Sequence, residues 1–348
     1  MIPTVLLFII GFLLLVKGSD YFVKSAATIA KRLGVSEFII GLTLVAIGTS
    51  IPELASSVIA SIKKASGIVI GNIVGADIAN IGLITGMAAV IAVIKTKKEM
   101  MDRDGYIMIF AGAALYIFIY NGVISKLEAG ILLLLYAAYI LFLSETKPEL
   151  KEQYNFRGFI RYFFRFQYLK TIQDKTRRMK DNRQKAQGRQ KIKTSKKIYL
   201  FKDLLIMLIS GAAIFIGANY FINGAMYFAN LLKIPETIIG VTLVSLGTTL
   251  PELSVTVSAA RKGYGNIAIG NIIGSNITNI LLVLGTAAFI SPIQVGKITL
   301  FYTAPFMLFM MALLLLFIKS NWEIRRKEGI AFLILYVLFI AAVVYFGA

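Results

Sequence analysis

Two glutamates, Glu53 and Glu252, sit inside apolar stretches that read almost alike: GLTLVAIGTSIPEL from Gly41 to Leu54 and GVTLVSLGTTLPEL from Gly240 to Leu253. A charged side chain at the bilayer centre costs about 2.5–3.5 kcal/mol on insertion scales, so an acid in such a run is first of all a functional candidate. A purely structural role would need a buried Lys or Arg as counter-charge, and the surrounding apolar runs hold almost none. Each Glu follows a proline, Pro52 or Pro251. A proline within a helix offers no N–H and displaces the carbonyl four residues back, here that of Gly48 or Gly247. Unpaired carbonyls at membrane depth are tolerated only inside protein or against a wet cavity. Together with Thr and Ser hydroxyls and the amides of Asn80 and Asn279, the two carboxylates offer six or more oxygens with a formal charge of −2. Ca²⁺ takes roughly 6–8 oxygens in a flexible shell, and the same oxygens can be divided among Na⁺ ions. Competition of one divalent and several monovalent ions for shared carboxylates is itself a mechanism of antiport.

The elements that must position these acids are duplicated. At an offset of 199 residues, Gly18–Leu83 aligns with Gly217–Leu282 without a gap, with 31 identities in 66 positions. A second motif lies in the same register, GNIVGADIAN at Gly71–Asn80 against GNIIGSNITN at Gly270–Asn279. Shared apolar composition alone does not keep Gly, Asn, Pro and Glu in step over that distance.

Hydrophobic residues make up 57% of the 348 and the mean hydropathy is +0.77, which predicts an all-α polytopic membrane protein. The chain has no Cys and no His, so disulfides, thiolate nucleophiles, imidazole bases and the usual zinc or haem ligands are excluded. The N-terminal run MIPTVLLFII has no basic residue before it and reads as a retained first span. Spans are predicted near 3–23, 37–60, 68–93, 105–121, 126–143, 204–224, 236–259, 267–290, 299–318 and 328–346. Five spans per copy force the second copy to enter the membrane upside down. The predicted architecture is two inverted five-helix repeats, 1–143 and 203–348, with helices 2, 3, 7 and 8 broken around a midplane ion site. The Lys and Arg residues outside the link concentrate in loops that are cytoplasmic if both termini lie outside, an orientation favoured by the positive-inside rule. The 144–202 link is then cytoplasmic. It holds 18 Lys or Arg against 5 Asp or Glu, 13 of the net charge of +19. A solvated linker is the simpler reading of it. Its first part, 154–170, mixes aromatics with Arg in a way that could also lay a helix on anionic lipid. Nucleic acid is a poor partner for charges flanked by membrane spans.

The paired GTSIPE and GTTLPE elements, with GNIVGADIAN and GNIIGSNITN, resemble the two repeats of the cation/Ca²⁺ exchanger superfamily in its Na⁺/Ca²⁺ exchanger branch, and the match covers both halves. The resemblance implies a prokaryotic calcium/sodium antiporter. Glu53 and Glu252 would be the central Ca²⁺ ligands, helped by the carbonyls of Thr49 and Thr248. Na⁺ sites would use Thr49, Ser50 and the Ala46 carbonyl on one side, and Thr248, Thr249, Ser275 and the Ser245 carbonyl on the other. Asn80 and Asn279 would complete the middle. The chain departs from the pattern at Ala76, where a Ser hydroxyl is usual, and at Asn279, where K⁺-dependent members have Asp. It also carries Asp77 opposite Asn276, a third acid near the ions or just behind them.

The function expected is therefore export of cytoplasmic Ca²⁺ driven by Na⁺ entry at the cell membrane, by a monomer or weak oligomer, with no cofactor and no enzymatic activity. The alternative is Ca²⁺/H⁺ antiport, with the same carboxylates accepting protons. An intramembrane hydrolase would need an Asp dyad or a Ser with a base, and the spans contain neither constellation.

Overall fold

The computed structural model describes residues 2–32, 48–96, 98–144, 155–173 and 194–347. In chain order its principal helices are α1 (Ile2–Arg32), α2 (Ile51–Ile62), α3 (Ser66–Ile91), α4 (Met101–Asn121), α5 (Lys126–Ser144) and α6 (Phe156–Phe164). After the link come α7 (Thr194–Leu232), α8 (Glu236–Thr248), α9 (Leu250–Arg261), α10 (Gly265–Ile290), α11 (Thr299–Asn321) and α12 (Arg326–Gly347). Among the described residues eight helices are long and apolar enough to cross a bilayer, and α8 with α9 forms a ninth span bent by 49°. The span predicted near 37–60 falls partly in 33–47, outside the described residues, and α2 is its described part. The chain is a helical, multi-pass membrane protein.

The proline positions explain the bend. Pro251 lies in the first turn of α9 after the N-cap Thr249, and Pro52 in the first turn of α2 after the N-cap Ser50. A first-turn proline loses no intrahelical bond of its own, so each Pro-Glu pair starts a new helix. Helices 3 and 8 differ from expectation: α3 and α10 are continuous, not broken. Each instead contains one π-helical stretch, Asn80–Thr85 and Asn279–Leu284, at matching positions of the two copies. In α3 the Thr85 hydroxyl reaches back 2.9 Å to the Asn80 carbonyl, which supports the wider turn. The helix is loosened beside the site without being cut.

Burial separates a centre from a periphery. In α3 and α10, 89% and 78% of the apolar window is buried, against 22% in α1, so the two GN-bearing helices form the middle of the molecule. Backbone contact makes this packing possible: a Cβ added at Gly71 would lie 2.5 Å from the Thr237 carbonyl, and one at Gly75 would lie 2.7 Å from that of Val241. The long helices α1 and α7 meet along a similar seam, where a Cβ on Gly217 would fall 2.7 Å from the Gly11 carbonyl. Small residues substitute here for the hydrophobic drive that lipid removes.

Four short strands tie the copies together. β1 (Ile94–Lys95), β2 (Val123–Ile124), β3 (Ile293–Gln294) and β4 (Glu323–Ile324) pair antiparallel as β1 with β4 and β2 with β3, each strand with one from the other copy.

Candidate ion site

Glu53 and Glu252 each occupy the first turn of a helix, where the partial positive charge of the helix N-terminus favours an anion. Both side chains are withdrawn from solvent, with 0% and 1% of their surface exposed, and Asp77 on α3 is equally buried. None of the ion pairs among the described residues involves these three acids; those present include Arg103–Asp104 and Arg325–Glu323. Among the described residues, both carboxylate oxygens of Glu53, Oε2 of Glu252 and Oδ2 of Asp77 lack a hydrogen-bond partner. So do Ser50 Oγ, Asn80 Oδ1 and Asn279 Oδ1. Every one of these atoms can accept a hydrogen bond or hold a cation, and a buried oxygen left with neither is expensive.

Around them runs a hydrogen-bond network that repeats at the 199-residue offset. Asn72 donates from Nδ2 to Ser57 Oγ at 3.0 Å and accepts from Thr248 Oγ1 at 3.1 Å. Asn271 does the same with Thr256 at 3.1 Å and, more loosely, with Thr49 at 3.5 Å. Thr49 also lies 3.5 Å from Ser275 Oγ. On the π-helical side, Asn80 donates to Asn276 Oδ1 at 2.9 Å and Asn279 donates to Asp77 Oδ1 at 3.0 Å. The asparagine bonds each have their mirror, whereas the Thr49–Ser275 contact has none because Ala76 stands at the matching position; the two halves close on one another through side chains as well as strands.

The structure thus gathers Thr49, Glu53, Asn80, Asp77, Thr248, Glu252, Ser275 and Asn279 in one buried polar region. Ser50 and Thr249 are buried at the starts of the Pro-Glu helices. The Ser245 carbonyl, expected to face an ion, already accepts from Thr249 N at 3.0 Å and lies 3.3 Å from Thr248 Oγ1. Ala46 lies outside the described residues. Among the described residues no three acids stand close enough to hold a metal by themselves. A cation here would need neutral oxygens beside the carboxylates. By sequence Asn72 and Asn271 serve interhelical hydrogen bonding as readily as ligation; in the structure they clamp the site hydroxyls. Nothing in the sequence singled out Ser57 and Thr256, although the repeat register that pairs them was there to be used.

A family model described as sodium/calcium exchanger protein matches residues 3–144 and 202–345. The chain belongs to the sodium/calcium exchanger family. Over 98% of its length it is 50% identical to the sodium/calcium exchanger MaX1 of Methanosarcina acetivorans, 98% of which is covered. An uncharacterised membrane protein of Methanocaldococcus jannaschii is 32% identical over 96% of each chain. The fold matches the sodium-calcium exchanger NCX_Mj, in crystals soaked with Na⁺ and Ca²⁺, with a TM-score of 0.59, 32% identity and 98% of both chains covered. Members of the sodium/calcium exchanger family are transporters, which makes this chain a cation/Ca²⁺ antiporter by family.

Proposed function

We propose that this exchanger moves Ca²⁺ out of the cytoplasm against Na⁺ entering, with the two kinds of ion competing for Glu53 and Glu252. One observation carries the reading: two buried carboxylates with unpaired oxygens, ringed by neutral hydroxyl and amide oxygens and, among the described residues, paired with no cationic side chain. Ca²⁺ takes both carboxylates with the carbonyls of Thr49 and Thr248. Na⁺ ions divide the same carboxylates with Ser50, Thr249 and Ser275, and Asn80, Asn279 and Asp77 complete the middle.

The mirrored contacts support two inverted five-helix repeats, ten spans in all, with the basic 144–202 link on the cytoplasmic side and both termini outside. The glycine seam that joins α1 to α7 supports a moving unit of these two helices, sliding across a site held by α3 and α10.

The test is uptake of radiolabelled Ca²⁺ into proteoliposomes under an imposed Na⁺ gradient. Wild-type protein exchanges, while Glu53→Gln and Glu252→Gln fall to the protein-free background yet elute as the same monodisperse species. Retained flux in either variant would remove the site assignment. Uptake that follows a pH gradient and ignores Na⁺ would replace Na⁺ with H⁺ as the coupled ion.

A further inference from the structure

We propose that Thr85 is a positioning residue for cation binding, its hydroxyl holding the wide turn of α3 that aims the Asn80 amide oxygen at the ions. The inference rests on the ion site proposed above, in which Asn80 completes the middle. The Thr85 side chain is fully buried, and its Oγ1 donates to the Asn80 carbonyl at 2.9 Å. At three other helical positions a hydroxyl that bonds to its own backbone reaches four residues back: Ser19 to Leu15, Thr28 to Lys24 and Ser210 to Ile206. That is the ordinary reach within an α-helix. Thr85 reaches five residues back, across the π-helical stretch Asn80–Thr85. With α-helical geometry between the two residues, the same hydroxyl would meet the Ile81 carbonyl instead. The bond therefore belongs to the wide turn and favours it over the α-helical alternative.

Asn80 is the first residue of that stretch. Losing the extra residue of a π turn rotates one side of a helix against the other by roughly 100°, one residue's share of a 3.6-residue turn. The direction of the Asn80 side chain therefore depends on the turn being kept. Asn80 Nδ2 donates to Asn276 Oδ1 at 2.9 Å. That leaves Oδ1, buried and without a hydrogen-bond partner among the described residues, to face a cation. The second copy lacks the device. At the 199-residue offset Thr85 is matched by Leu284, which closes the equivalent stretch Asn279–Leu284 and has no hydroxyl to give the Asn279 carbonyl. Asn279 keeps its side-chain bond to Asp77 Oδ1 at 3.0 Å with no such support behind it. The two amides of the site are thus unequally held, and the one from the first copy is the fixed one.

Equilibrium dialysis of radiolabelled Ca²⁺ against the purified full-length chain, in Na⁺-free detergent solution, tests this whichever ion is coupled to transport. Thr85→Val keeps the shape and removes the donor. It should raise the Kd about tenfold, the lower end of the range for groups that orient metal ligands. Thr85→Ser, which keeps the donor, should bind as wild type does. Asn80→Ala should also weaken binding, and adding Thr85→Val to it should cost nothing more, because coupled residues are not additive. Thr85→Ala replaces the valine variant if valine alters the monodisperse elution. A wild-type Kd in Thr85→Val or in Asn80→Ala, equal weakening by Val and Ser, or a Thr85→Val effect undiminished in the Asn80→Ala background would overturn the proposal. Glu53→Gln is the control on the site itself. Retained Ca²⁺ binding there removes the site and this proposal together, whereas lost binding there beside a silent Thr85→Val removes the positioning role alone.

Discussion

Asn72 and Asn271 touch the site hydroxyls from behind. Each uses its amide nitrogen to grip its own copy's α2 or α9, at Ser57 or Thr256, and its amide oxygen to receive a hydroxyl from the other copy, Thr248 or Thr49. The hydroxyl proton is thereby drawn away, which leaves the Thr oxygen lone pairs for a cation. Outer partners of metal ligands are typically worth 10–100-fold in affinity, so Asn72→Ala should weaken apparent Ca²⁺ affinity by roughly that factor. A Ca²⁺ titration of exchange measures it, and an unchanged midpoint would reduce Asn72 to packing. Glu53 and Glu252 were legible in the sequence because a charge within an apolar run has few innocent explanations. The clamp was not, since an Asn in a membrane helix donates and accepts equally well to a ligand, a neighbour or its own backbone. Asp77 was seen as a third acid, but its bond to Asn279 appears only once α3 and α10 are brought together.

Hydropathy located α5 and α10 closely, 126–143 and 267–290 against Lys126–Ser144 and Gly265–Ile290. It undershot α1 and α7, because their helices run on past the apolar stretch into polar residues that hydropathy does not score. The π-helical stretches of α3 and α10 were invisible: NIGLIT and NILLVL are as apolar as any α-helical run. Imperfect duplication accounts for other features of these elements. Tyr136 Oη lies 3.5 Å from Thr278 Oγ1, whereas Tyr336 Oη has no partner; the residue matching Thr278 in the first copy is Ala79. The turn after α2 places Lys64 at φ 58°, and its counterpart after α9 is Gly263 at φ 77°. In both turns the N–H three residues past the helix end bonds back five residues, Ala65 to Ala60 and Tyr264 to Ala259, at 2.9 Å, the closing bond that favours glycine at the residue just before it. The left-handed conformation costs an L-residue with a Cβ roughly 1–2 kcal/mol. Lys64→Gly should therefore stabilise the protein by about 1 kcal/mol after the extra chain entropy of glycine is counted. Thermal unfolding in detergent tests this, and a Tm equal to or below wild type would contradict it.

No bond or strand pair described at the ion site uses the 144–202 link, although the link carries most of the positive charge. Deleting Asp174–Lys193 should accordingly leave Na⁺-driven Ca²⁺ uptake near the wild-type rate in the same vesicle assay, and a dead variant would give those residues a part in transport. The two halves hold each other by other means. β1 completes β4, β2 completes β3, Asn80 reaches Asn276 while Asn279 reaches Asp77, and each Pro-Glu helix buries one acid. A lone half would be left with raw strand edges, dangling amides and a solitary acid.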